Sequence, residues 1–146
     1  MKHRWALLCE RFSIDQLSNN VSIFGLIDEL HLPKSAVADA LATGKPAAAQ
    51  IQSVLLVQTE RSDMAVAEKG IVECRLFDAQ GTQLGVSRAE VNLEQGTRVR
   101  SAFNVNVLPI TNEGAYHYRI YHMVEGDPRQ VDELPLYVHF DVPPTP

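Results

Sequence analysis

His117, His139 and Asp141 are the residues of this sequence whose types most readily do chemistry. Two imidazoles and a carboxylate form a zinc ligand set when they converge and leave a fourth position for water. Water on such an ion is a nucleophile, so the matching activity is metal-dependent hydrolysis. The two histidines fall on one parity of two consecutive strands, with Asp141 on the same side. No H-E-x-x-H run or Cys/His cluster fixes them as ligands by spacing. The competing reading has them as solvated or hydrogen-bonded side chains on an exposed strand face, and then no metal or other cofactor is expected.

A second group suits contact better than catalysis. His117, Arg119, Tyr121, Tyr137 and His139 share that face, and Arg98 and Arg100 join Arg119 in a basic strip. Tyr and Arg are enriched in protein interfaces, although exposed strand charges also guard edges against unwanted pairing. Cys9 and Cys74 sit within apolar alternation, where a cysteine is an inert small hydrophobe. The chain has no G-x-S-x-G elbow, no phosphate loop and no dinucleotide fingerprint. Asp15, Asp28, Glu29 and Asp78 lack the Asp-x-Asp convergence that a calcium loop needs.

The segment that must position these residues is Ile110–Asp141. Asn112-Glu113-Gly114 is turn chemistry, since Gly tolerates positive φ and Asn caps locally. Beyond it Tyr116, Tyr118, Ile120 and Val124 alternate with His117, Arg119, Tyr121 and Met123. That period of two marks a strand with one apolar face. Leu134, Leu136, Val138, Phe140 and Val142 repeat the pattern against Tyr137, His139 and Asp141. Tyr116, just past the turn, resembles a tyrosine corner whose hydroxyl bonds backbone upstream.

Upstream, Arg4–Ile14 reads as a strand whose apolar side switches near Glu10-Arg11, the mark of a bulge or a change of partner. Val21–Leu32 reads as one strand, apolar on both sides and so central, with Gly25 at a bulge or close approach. Pro33–Ala49 predicts at most one short helix near 35–43, with Ser35 as N-cap and Gly44 as the stop, or else a long crossover loop. Gln50–Glu60 is a buried strand, Ile71–Asp78 and Gln83–Leu93 form a hairpin, and Arg98–Ile110 alternates again. The expected fold is all-β: an antiparallel β-sandwich, immunoglobulin-like or C2-like, with about eight strands. One domain spans 1–142, and the prolines of 143–146 leave a frayed tail.

The 146 residues are 45% apolar and 21% charged, enough for a real core. A net charge of −5 argues against a nucleic-acid backbone binder, which needs a basic footprint. The apolar run Trp5–Cys9 is too short for a signal peptide, and no stretch has transmembrane length. A cytoplasmic, membrane-free location with reduced cysteines is the expectation.

Trp5-Ala6-Leu7-Leu8-Cys9-Glu10, a polar turn, Asn20-Val21-Ser22-Ile23-Phe24-Gly25-Leu26-Ile27-Asp28 and Gly114-Ala115-Tyr116-His117-Tyr118-Arg119-Ile120 form a layout. It resembles a family of small bacterial β-sandwich proteins of unknown function, over nearly the whole chain apart from Pro33–Ala49. The resemblance implies the fold and a bacterial cytoplasmic setting, and carries over no catalytic residue. The expected function is a non-enzymatic protein-interaction or structural module of a bacterial cytoplasmic assembly. Its partner is another protein or a second copy in a homodimer. The alternative is a metal-dependent hydrolytic enzyme using the strand-face His/Asp cluster. A ligand-binding sandwich, the third class, requires a pocket.

Overall fold

The computed structural model describes residues 1–144 and arranges them in two sheets. Among the described residues there are nine strands and one helix, so the all-β expectation holds. In chain order these are β1 (Lys2–Ile14), β2 (Val21–Leu26), β3 (Glu29–Pro33), α1 (Lys34–Ala42), β4 (Ala47–Glu60), β5 (Lys69–Phe77), β6 (Gln83–Asn92), β7 (Arg98–Ile110), β8 (Gly114–Val124) and β9 (Asp127–Asp141). The four-stranded sheet runs β2-β1-β4-β7 and the five-stranded sheet runs β3-β9-β8-β5-β6. The expected tail at 143–146 lies partly outside the described residues.

Both sheets point their apolar parity at one core. Leu55 and Val57 of β4 meet Val72 of β5, Tyr116 and Ile120 of β8, and Leu136 and Val138 of β9 in a buried cluster. The expected β5–β6 hairpin and the β8–β9 pair are both antiparallel neighbours. Tyr116 is fully buried, and its hydroxyl accepts the Thr111 and Asn112 amides at 2.9 and 3.1 Å and donates to the Asn112 carbonyl at 2.9 Å. The corner expected at this tyrosine is therefore present.

Val21–Leu32 is not one central strand. It divides at Ile27-Asp28, where the chain leaves one sheet for the other. The Ile27 amide bonds the Leu8 carbonyl in the four-stranded sheet, and the Asp28 carbonyl accepts the Tyr137 amide in the five-stranded one. β2 is consequently an edge strand, with Leu26 69% exposed. β3 then runs parallel to β9, so the sheets are not wholly antiparallel. Val21 and Ile23 are half-buried on β2 and Leu30 and Leu32 on β3, so the inward parity changes with the sheet, while Phe24 and Leu26 are exposed.

The switch near Glu10-Arg11 marks a change of partner: β1 pairs with β4 as far as Cys9 and continues on β2 to Ile14. Gly25, opposite that exchange, has φ of +64°, and an added Cβ would meet the Glu10 side chain at 2.6 Å. Gly25→Ala is expected to destabilise by about 1–2 kcal/mol through left-handed strain. An unchanged urea midpoint would count against that account. α1 begins at Lys34 with Pro33 as its N-cap and no side-chain capping bond, so Ser35 is not the cap. The chain enters the helix straight from the extended Pro33 at the end of β3. Gly44, at φ of +70°, ends the turn that follows as expected.

Candidate functional site

The outer face of the five-stranded sheet holds much of the expected contact surface, and its side chains largely satisfy one another. Glu73 and Tyr121 are opposed across β5 and β8, as are Arg75 and Arg119, and Phe77 and His117. The Arg75 guanidinium lies 4.3 Å above the Tyr121 ring, and that of Arg119 lies 4.4 Å above Phe77. Arg119 donates to Glu133 at 2.7 Å, and His117 Nδ1 stands 3.0 Å from the same carboxylate. Tyr121 is only 9% exposed beneath Arg75, so it does not belong to an accessible contact surface.

The sequence pattern does not single out Glu73. It is 1% exposed on an outward parity and binds Arg75 and Arg88. Burial pushes its carboxyl up, but the bonds from Arg75 and Arg88 outweigh this and hold it below the ordinary range. Its only sequence signal is a carboxylate within a strand whose other parity is apolar.

The basic strip does not form. Arg98 and Arg100 lie on β7 of the four-stranded sheet, whereas Arg119 lies on β8 of the other. Arg100 donates to Gln58 at 3.0 Å and to the Asn19 side chain and carbonyl at 3.1 and 3.0 Å, tying the β1–β2 turn to the sheet. Arg98 is exposed opposite Glu60.

The trio of His117, His139 and Asp141 does not converge either. His117 is opposite Pro135, and His139 lies four residues further along β9, about 13 Å at strand rise. The parallel register of β3 instead brings His31 beside His139, with Glu29 beside Tyr137 and Pro33 beside Asp141. The His31 and His139 rings stack at 4.9 Å with 24° between planes. His31 Nδ1 is 3.0 Å from Asp141 Oδ1, and its Nε2 is 3.3 Å from Glu29 Oε2. Asp141 first, and then Glu29, raise the His31 pKa above the ordinary imidazole value. Alternation alone does not bring Glu29 and His31 to His139, because the apolar pattern runs unbroken through Ile27-Asp28.

A cleft of about 420 Å³ opens between β6 and β7. These strands are consecutive and are the unpaired edges of opposite sheets. Each lies beside an irregularity. β6 carries the extra residue Leu84 against β5, and β4 carries Ile51 and Gln52 against Asn106 of β7. Bulges bend and twist their strands, and the cleft lies at residues 84–87 of β6 and 103–107 of β7, away from the turn that connects them. Leu55, Cys74, Leu76 and Phe103 form the floor, and Val86, Asn104, Asn106 and Val107 line the mouth. Tyr118 also lines it, 5% exposed, and its buried hydroxyl has no hydrogen-bond partner among the described residues. Burial, then the charge of Glu73, pushes the Cys74 thiol up to about 12, so it stays protonated at neutral pH.

At one end of the core, His122 is 2% exposed and Thr59 is fully buried, with 3.5 Å between Thr59 Oγ1 and His122 Nε2. Burial, then the neighbouring His3, lowers the His122 pKa to about 4, which keeps the ring neutral. His3 Nε2 lies 2.7 Å from Asp132 Oδ2. The Thr59 hydroxyl is fully buried, whereas His3 and His122 line a surface hollow with Lys2 and Arg129.

No protein-family model matches this chain, and no curated protein matches it. Among the described residues, no helix is long and apolar enough to cross a membrane.

Proposed function

We propose that the protein is a non-enzymatic interaction module, an immunoglobulin-like sandwich that receives an extended apolar segment of another protein between β6 and β7. The observation that carries this reading is the cleft itself. Among the described residues it has an apolar floor, two unpaired strand edges at its mouth, and one buried hydroxyl without a partner. An added strand satisfies edge amides and carbonyls with its backbone and fills the floor with alternate side chains. The Tyr118 hydroxyl supplies a polar anchor, since an unpaired buried hydroxyl gains most from a new partner. Cys74 offers shape there rather than a nucleophile. A bacterial cytoplasmic assembly as the setting rests on the resemblance carried by Trp5–Glu10, Asn20–Asp28 and Gly114–Ile120.

Selection of ten-residue peptides from a displayed random library on the immobilised protein tests the reading. Enriched peptides are expected to alternate apolar and polar residues. Val86→Arg and Val107→Arg alter residues 51% and 46% exposed at the mouth, so the fold is expected to survive. Each is expected to weaken a selected peptide at least about tenfold. No enrichment, or equal binding by both variants, would overturn the proposal. Light scattering of the free chain reports whether a second copy already occupies the cleft.

A further inference from the structure

We infer that Glu29, His31 and His139 form a binding site for a divalent transition ion of the zinc class, which clasps β3 to β9. One donor atom from each of the three residues lies within 4.8 Å of the other two. Two ligands at zinc bonding distance and tetrahedral angle stand about 3.3–3.5 Å apart. The 3.3 Å between His31 Nε2 and Glu29 Oε2 has that spacing. The stacked His139 ring is exposed and free to turn, and the site requires it to bring its nitrogen in from within 4.8 Å to bonding distance.

The neighbour of His31 strengthens the assignment. Asp141 holds Nδ1 at 3.0 Å. A carboxylate that accepts the Nδ1 proton leaves Nε2 as the donor atom toward the Glu29 carboxylate, where an entering ion displaces the Nε2 proton. Metal-binding histidines are oriented in this way by a carboxylate behind the ring. Two acceptors facing each other at 3.3 Å need a proton or a cation between them, and an ion meets that need while also engaging His139. Two imidazoles and a carboxylate select a zinc-class ion over calcium or magnesium, which prefer all-oxygen sites.

The placement gives the ion a mechanical role. β3 is short, pairs with β9 alone, and leads directly into α1. Ligands from both strands close that parallel pair from the side-chain face. His31 and Glu29 are more than half exposed, so the fourth coordination position faces solvent and takes water. This inference is independent of the β6–β7 cleft, which involves other strands.

Calorimetric titration of the untagged protein with zinc chloride is the test, alongside thermal melts with and without zinc. One zinc per chain and a raised melting temperature are expected. His31→Ala and His139→Ala should abolish both effects, and Asp141→Asn should weaken binding about 10–100-fold. His117→Ala, on the neighbouring strand, should bind as the wild type does. The altered residues of the two alanine variants are exposed, so their melts without zinc should stay close to that of the parent. No binding by the parent, or undiminished binding by His139→Ala, would overturn the site.

Discussion

Tyr116→Ala is expected to lower stability by about 3–5 kcal/mol, the usual cost of truncating a buried aromatic residue. The ring is fully buried in the cluster shared by the two sheets. Its hydroxyl also satisfies two amides and a carbonyl in the turn between β7 and β8. The two contributions separate by substitution. Tyr116→Phe keeps the ring and strands those backbone groups, at about 1–3 kcal/mol. Tyr121→Ala removes a ring that points away from the core and lies under Arg75, so it should cost less than Tyr116→Ala. Urea unfolding of the three variants at neutral pH gives the order. A Tyr116→Phe protein as stable as the parent would mean that the hydroxyl bonds are replaced by water without loss.

The corner was legible because it is local. A turn signal, a tyrosine two residues beyond it and a period of two all lie within one short stretch, from Asn112 to Ile120. The same holds for the burial of Leu136 and Val138 and the outward facing of Tyr137 and His139, which parity alone assigns. What parity cannot assign is the neighbour across a register. His139 reads equally well beside His117 or His31. Only the crossing at Ile27-Asp28 and the parallel pairing of β3 select His31. Nor can parity separate an outward side chain from an exposed one. Glu73 and Tyr121 face away from the core, yet Arg75 covers one and binds the other. The cleft lies between the edge strands β6 and β7, beside irregularities at Leu84 and Ile51-Gln52 that break no pattern in the sequence.

Asp78→Ala is expected to cost about 2–3 kcal/mol at neutral pH, in the range for hydrogen bonds to a buried charge. Asp78 is 3% exposed at the end of β5. One carboxylate oxygen accepts the Gln80 and Thr82 amides at 3.0 and 2.8 Å, closing the turn into β6. The other accepts the Thr111 hydroxyl at 2.9 Å, and Thr111 in turn gives its amide to Tyr116. A single carboxylate thus joins the β5–β6 turn to the β7–β8 corner. Burial pushes its pKa up, but the bonds from Thr82, Thr111, Gln80 and Gly81 prevail and leave it below the ordinary value. A folded-state pKa below the unfolded one contributes stability that is fully present above the unfolded value, about 3.9. That contribution fades as the pH falls through the folded value. Asp78→Asn keeps the shape but cannot carry the charge. The gap between parent and Asp78→Asn should therefore be full at pH 7 and narrow steadily below about pH 4. Urea midpoints of the two proteins from pH 7 to pH 3 measure it. A gap that stays constant over that range would show that the charge contributes nothing to the pH dependence of stability.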